Sequence, residues 1–261
     1  YVLRGIDREF TNDRMPELSR EVLGILDNLS SNPRWIFQMS DELHKIFKTR
    51  VDPCVVKASG LAAGKGVIVC NTVAETLDAI HLIMDDHAFG EAGETILIEE
   101  FMEGQEVSVL ALVDGRTIWV LDLCQDHKQV GEDDVGANTG GMGAYSPAPL
   151  LDNEAMEFVE REILVPAVDG MRRDGIEFRG VLYAGIMLTP AGPKVLEFNC
   201  RFGDPETQPL MVRLQGDLVD ILWRTASGEL ADAEISFDER VACCVVMCSE
   251  GYPSAYEKGK V

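Results

Sequence analysis

Apolar residues recur along this chain in two periods, and the period changes where the type of element should change. Over residues 16–29, Val22, Leu23, Leu26 and Leu29 fall at helical spacing, and Asn32-Pro33 breaks the run. A second short helix is expected over 41–47. From Pro53 the pattern turns to short β-branched runs, 54–57 and 66–70, on either side of a small-residue loop. Thr72 and Glu75 have the spacing of a capping box, which predicts a helix to about residue 86 with Val73, Leu77, Ile80 and Met84 inward. Residues 95–100 read as a strand, and 105–113 and 116–123 as two more joined at Asp114-Gly115, a dipeptide suited to tight hairpins. Residues 125–149 carry no apolar period and are expected to form a long polar, glycine-rich loop, which in a compact domain is usually functional. A helix over 153–173 follows, then a hairpin of 180–189 and 194–199 turning around 190–193. A helix over 209–225, with Pro209 near its first turn, and a buried-looking strand over 240–248 complete the pattern. Hairpins mixed with helices, rather than regular strand–helix alternation, predict an α+β fold. Trp119, Trp223 and the methionines read as core.

Composition narrows the classes of function. A chain of 261 residues holds one large domain or two or three small ones, and 46% hydrophobic with 26% charged residues suits a packed core. Lys and Arg number 23 against 45 Asp and Glu, a net charge of −22. Such an acidic surface repels nucleic acid and anionic membranes, so neither is an expected partner. No apolar run is long enough to span a bilayer. Any polyanionic ligand must then be held by locally placed Lys, Arg or backbone N–H groups. The seven cysteines are odd in number, lack C-x-x-C and sit mostly in apolar runs, which reads as reduced core thiols of a cytoplasmic protein.

Three stretches carry candidate chemistry. In the loop after Lys57, three residues rather than four separate Gly60 from Gly64, and Gly66 rather than Ser or Thr follows Lys65, so the loop is not a P-loop. No G-x-G-x-x-G is present, which argues against a dinucleotide fold. Small side chains there suit close approach of backbone N–H groups to phosphate, and they suit an ordinary hairpin loop equally. Glu99, Glu100, Phe101, Met102 and Glu106 fit a purine pocket, with Glu106 accepting from ribose hydroxyls; core packing with solvated glutamates is the other reading. Alternation along 194–202 puts Leu196, Phe198, Cys200 and Phe202 on one face and Val195, Glu197, Asn199 and Arg201 on the other. Glu197 and Asn199 then aim a carboxylate and a carboxamide oxygen at one point, as Mg²⁺ sharing phosphate oxygens prefers. A half-exposed strand with a polar outer face fits the same spacing.

Five stretches in order, VVKASGLAAGKGVIV (55–69), QDHK (125–128), ANTGGMGAYSPAP (137–149), GVLYAGIML (180–188) and VLEFNCRFGDPETQP (195–209), resemble the phosphoribosylamine–glycine ligase family of the ATP-grasp superfamily. The likeness runs from about residue 53 to 261 and continues through SEGYPSAYEKGK. It implies an ATP-grasp fold, two α+β subdomains clasping ATP: a lid over 51–100, a core with the metal site over 101–228, and the start of a carboxy-terminal domain over 229–261. Residues 1–50, partly helical, stay unassigned and do not look like the family's usual entry into the lid; the family's amino-terminal Rossmann-like domain is expected to be missing and its carboxy-terminal domain cut short. The resemblance implies that ATP phosphorylates glycine and that the amine of 5-phosphoribosylamine attacks the glycyl phosphate. That chemistry needs charge neutralisation and alignment but no protein nucleophile, and no Ser-His-Asp or Cys-His constellation is evident.

By the same resemblance, Glu197 and Asn199 hold Mg²⁺ or Mn²⁺, and Lys57, Gly60, Gly64, Lys65 and Gly66 cover the ATP phosphates. Glu99, Glu100, Phe101, Met102 and Glu106 take the nucleoside. Arg201, Asp204, His127 and Lys128 sit at the reacting centre, with Asp126, Asn138, Thr139, Gly140 and Gly141 on the substrate side. His127 alone fits a surface histidine as well. Gln129 stands where the family usually has a basic residue, and Ala137 where it usually has proline. Gly185, expected opposite Glu197, offers no third acidic ligand, which leaves the metal to Glu197, Asn199, phosphates and water.

Overall fold

The computed structural model describes residues 2–3, 53–60, 66–133, 135–256 and 259. The helices expected over 16–29 and 41–47, and Gly64 and Lys65 of the glycine loop, lie outside the described residues. The chain divides into two compact units, one ending at Phe101 and the other beginning at Met102.

In the first unit β2 (Cys54–Ala58) lies between β3 (Val67–Cys70) and β4 (Ile96–Glu100), with β1 (Val2–Leu3) beyond β4, all antiparallel. Val56, Ile96 and Ile98 alternate inward and pack against α1 (Val73–Ile80). Thr72 caps the helix as expected, Glu75 N–H donating to Thr72 Oγ1 (3.2 Å), but the Glu75 carboxylate accepts from the N–H of Asn71 (2.8 Å), one residue before the cap. The buried face of α1 is Thr76, Ala79 and Ile80, continued by Ile83 in the π-type turn His81–Asp85 that follows, whereas Val73 and Leu77 are only half-buried. An apolar reading passes over Thr76, but its hydroxyl is satisfied by the Thr72 carbonyl and Cys54 Sγ, so it can sit in the core.

The second unit is built on an antiparallel sheet of order β10-β9-β5-β6: β5 (Gln105–Asp114), β6 (Ile118–Val120), β9 (Arg179–Thr189) and β10 (Gly192–Asn199). The Asp114 turn closes through its own carboxylate, which accepts from the backbone N–H groups of Arg116 (3.0 Å) and Thr117 (2.7 Å). Both faces of the sheet are covered. Val107, Val109, Ala111, Leu182, Ala184 and Ile186 pack against a helical run of α2 (Asn153–Val159), a π-type turn and α3 (Val165–Arg173). Leu110, Leu112 and Tyr183 face the other way, onto Leu210 and Ile221. The α+β class holds.

Several expectations need correction. Residues 125–149 are not a loop: β7 (Gln125–Gly131) and β8 (Val135–Ser146) form a hairpin, and β13 (Ala242–Val245) pairs with the other edge of β8. Glycines and polar residues give that hairpin no apolar alternation, yet backbone hydrogen bonds build the ladder without it. The helix read over 209–225 is two, α4 (Thr207–Arg213) and α5 (Leu218–Ser227). Gly216, with φ of +123°, turns the chain between them, and Asp217 caps α5 by accepting from Val219 N–H (2.8 Å). Between them β11 (Leu214–Gln215) pairs with β12 (Ser236–Phe237). The strand read over 240–248 is short and not buried: Val241, Val245 and Met247 are all exposed. Trp223 is 70% exposed rather than core. Cys54, Cys70 and Cys124 are buried, but Cys200, Cys243 and Cys248 are exposed, so the core-thiol reading fails for these last three.

Arg213, at the end of α4, is a buried guanidinium. Its Nη1 pairs with Asp122 (2.6 Å) and Ser146 Oγ (2.8 Å), and its other nitrogens donate to the carbonyls of Asp238 and Arg240. It also lies over the Phe237 ring. Among the described residues no helix is long and apolar enough to cross a membrane.

Candidate active site

The polar candidates of the second unit gather on one side of its sheet. β10 pairs Val195 with Ile186 and then Glu197 with Gly185, so Leu196 is the extra residue of a β-bulge. The bulge resets the phase: Val195 joins the apolar face beside Ile186, not the face of Glu197 as unbroken alternation predicts. The strand also ends at Asn199, and Arg201 lies beyond it, exposed, donating to the Phe202 carbonyl (2.8 Å). Phe198 is 43% exposed, so the apolar face read over 196–202 is not continuous.

Glu197 stands opposite Gly185, and Gly185 opposite Ser108, which makes a row across three strands. Asn199 stands opposite Tyr183 on the same face and donates from Nδ2 to Glu197 Oε1 (3.1 Å). Gly185 is buried and carries no side chain, and a Cβ there would lie 3.6 Å from Glu197 Cγ, an ordinary contact. A carboxylate and a carboxamide on one face beside a bare glycine are hard oxygen donors of the kind Mg²⁺ or Mn²⁺ accepts. No group of three or more His, Cys, Asp or Glu among the described residues forms a cage of its own. The donor set therefore fits a metal that shares its shell with ligand oxygens.

Lys128 stands among carboxylates. Its Nζ is 2.5 Å from Glu106 Oε2 and 3.9 Å from Asp126 Oδ2, and it lies within electrostatic reach of Glu197. Lys128 and Glu106, given separate ligands by the sequence reading, thus share an ion pair. Burial works against the ammonium, but the Glu106 charge and hydrogen bond, then Asp126 and Glu197, outweigh it and hold the lysine above its ordinary pKa. Stability from this pairing is whole below the ordinary lysine value of about 10.4 and is lost as pH rises through the raised native value. Urea unfolding followed from about pH 9.5 to 12 should therefore fall more steeply for the wild type than for Lys128→Met. Parallel curves would mean that the carboxylates do not hold Lys128.

On the hairpin beside it, Thr139 Oγ1 donates to the Lys128 carbonyl (2.7 Å) and accepts from Gly141 N–H (3.0 Å), while Gly140 N–H donates to the Tyr252 hydroxyl (3.1 Å). Gly141 is buried with φ of +118°, and a Cβ there would overlap Pro205 Cδ and reach 3.0 Å from Asp126 Oδ1. β8 thus lies directly against the Asp204-Pro205 turn. Asp204 itself is exposed and accepts from Gln208 Nε2 (2.8 Å), and Asn138 is exposed opposite Gln129. His127 alternates to the other side of β7 from Asp126 and stacks on Tyr145, ring centroids 6.2 Å apart.

Glu206 is missing from the sequence reading. It is 1% exposed, and its Oε1 accepts from the Tyr183 hydroxyl (2.6 Å) and from Ser108 Oγ (2.9 Å). Burial and then the Glu206 charge push the Tyr183 phenol well above its ordinary pKa. The sequence did hold a signal, a Ser and a Tyr within otherwise apolar strands. Nothing in it shows that both converge on one carboxylate.

In the first unit Lys57 Nζ pairs with Glu99 Oε2 (2.6 Å). Ala58 N–H donates to the Gly66 carbonyl (2.8 Å), closing the mouth of the glycine loop. Gly60 N–H donates to the Ala92 carbonyl (3.0 Å), and a Cβ at Gly60 would overlap Ala92, so packing alone accounts for that glycine. Glu100 is exposed opposite Cys54, and Phe101 N–H donates to the Pro53 carbonyl. Met102, at the start of the second unit, is half-buried.

Residues 28–207 match the family described as phosphoribosylglycinamide synthetase, ATP-grasp (A) domain. The phosphoribosylamine–glycine ligase of Rhodopirellula baltica is 55% identical over 230 residues, covering 85% of this chain and 53% of that protein. The crystal structure of phosphoribosylamine–glycine ligase from Thermotoga maritima is similar with a TM-score of 0.76 at 34% identity, over 84% of this chain and 55% of that one. The biotin carboxylase domain of Hydrogenobacter thermophilus 2-oxoglutarate carboxylase, solved with the magnesium salt of ADP, is 20% identical with a TM-score of 0.54, over 74% of this chain and 40% of that one. That last likeness is one of fold alone. The chain spans about half the length of the curated relatives it matches.

Proposed function

The chain belongs to the phosphoribosylglycinamide synthetase ATP-grasp family, and on that premise we propose that it acts in the ATP-dependent ligation of glycine to 5-phosphoribosylamine. A glycine carboxylate oxygen attacks the γ-phosphorus of ATP, and the bond to the β–γ bridging oxygen breaks with ADP as leaving group. The amine nitrogen of 5-phosphoribosylamine then attacks the carbonyl carbon of glycyl phosphate, the C–O bond to phosphate breaks, and the nitrogen gives up a proton. Glycinamide ribonucleotide, ADP and phosphate result.

The observation that supports this reading best is Glu197 and Asn199 on one face beside Gly185, with Lys128 within electrostatic reach. Glu197 and Asn199 would hold Mg²⁺ or Mn²⁺, which when bound neutralises charge on the transferring phosphoryl group. Lys128 and Arg201 add positive charge near the reacting atoms. Asp126, His127, Asp204 and the backbone N–H groups of 138–141 orient the glycine and the amine. Lys57 and the loop from Gly60 to Gly66 are assigned to phosphates, and Glu99, Glu100, Phe101, Met102 and Glu106 to the nucleoside. On this reading 51–100 is the lid, 101–228 the core and 229–261 the opening of a further domain, in a cytoplasmic enzyme.

ADP release by the chain should require ATP, glycine and 5-phosphoribosylamine together. Equal release with a different carboxylate or amine would make it another ligase of the superfamily. Binding of Mg·ATP without turnover would reduce the role to nucleotide binding.

A further inference from the structure

Glu206 is among the most deeply buried charged side chains in the second unit, and it is hydrogen-bonded to Ser108, the far end of the row that carries Glu197. A buried carboxylate persists where it is ion-paired, well hydrogen-bonded or set in the field of a cation. Among the described residues no Lys, Arg or His forms an ion pair with it; its hydrogen bonds come from two neutral hydroxyls, Tyr183 and Ser108. The backbone has also been left bare to admit its second oxygen, because a Cβ at Gly203 would overlap Glu206 Oε2. The φ of Gly203 is not in the left-handed region, so space is what that glycine provides.

The two hydroxyls are not placed at random. Ser108 is the register partner of Gly185, which is the partner of Glu197, and Tyr183 is the partner of Asn199. Ser108 Oγ and the Tyr183 hydroxyl also touch each other (3.0 Å). Both groups that bind Glu206 therefore stand next to the candidate metal ligands, one across Gly185 and one directly.

We propose that Glu206 is a positioning residue for the metal–nucleotide site: its negative charge, anchored by Tyr183 and Ser108, favours a divalent cation at Glu197 and Asn199. This rests on the reading of those two residues as metal ligands. The carboxylate touches no substrate; it acts by adding negative charge on the face that carries Glu197 and by fixing Ser108 and Tyr183 beside the candidate ligands. An amide of the same shape would keep the packing and lose the charge, which separates this role from a purely structural one.

The test is a Mg²⁺ titration of the chain at saturating ADP, read as the rise in thermal midpoint, alongside ADP binding without metal. Glu206→Gln should weaken the apparent Mg²⁺ affinity about tenfold, the scale expected for loss of a nearby buried charge, and leave metal-free ADP binding unchanged. A Mg²⁺ curve like that of the wild type overturns the proposal. Should Glu206→Gln fail to fold, Tyr183→Phe decides: weaker Mg²⁺ binding supports the role, and an unchanged curve rejects it. Glu197→Gln is the control. If it abolishes the Mg²⁺ response while Glu206→Gln changes nothing, only the role of Glu206 falls. If neither substitution alters the response, the ligand reading falls and takes the role of Glu206 with it.

Discussion

Glu197→Gln is expected to lower ATP-dependent ligation by about a hundredfold or more, with the unfolding midpoint close to wild type. The amide keeps the shape of the carboxylate, and its oxygen can still accept from Asn199 Nδ2, so the local hydrogen bond survives. Glu197 is exposed on the end strand of the sheet and faces a glycine, so no core contact is lost. What disappears is one negative charge at the point where a cation would meet the phosphates. In phosphoryl transfer the protein contributes mainly position and charge compensation, so this deletion should show in the rate and not in the fold. ADP release under saturating ATP and a circular-dichroism melt give the two readouts. A rate equal to wild type would remove the metal from this strand.

Gly141→Ala should have the largest effect on stability, a loss of about 2–4 kcal/mol in urea unfolding, from a left-handed backbone and an overpacked contact together. The first part follows from φ of +118°, which L side chains rarely adopt. The second follows from the Pro205 ring, which cannot rotate away as a long side chain would. Gly175 separates the two causes: its φ is +79°, but nothing lies within 4 Å of an added Cβ. Gly175→Ala should therefore lose only about 1 kcal/mol. If the two variants unfold at the same urea concentration, β8 does not abut the Asp204-Pro205 turn.

The apolar strands were legible because both faces of their sheet are covered, so Val107, Val109 and Ala111 on one side and Leu110 and Leu112 on the other leave a continuous signal. The β7–β8 hairpin was not, since its residues are chosen for backbone approach and polar contact and carry no burial period. Gly216 was legible in principle, but the apolar residues on either side of it suggested one helix. The phase of β10 was hidden because a bulge at Leu196 leaves no mark in composition. At the site, Glu197 and Asn199 could be paired from a spacing of two along one strand. Lys128 and Glu106 could not, because they meet across 22 residues of chain through the fold. Glu206 is harder still: a carboxylate among polar neighbours in sequence gives no warning that it will be buried.

Arg213 bears on how short a piece of this protein can stand alone. The match to the family model ends at residue 207, but the guanidinium takes two of its acceptors from the carbonyls at 238 and 240. A polypeptide cut at 228 would keep Asp122 and Ser146 and lose the rest, leaving a buried cation half satisfied. That penalty, on the order of several kcal/mol, is comparable with the whole net stability of a typical domain. A piece that keeps every acceptor of Arg213 therefore extends through Arg240, past the limit of the family-model match.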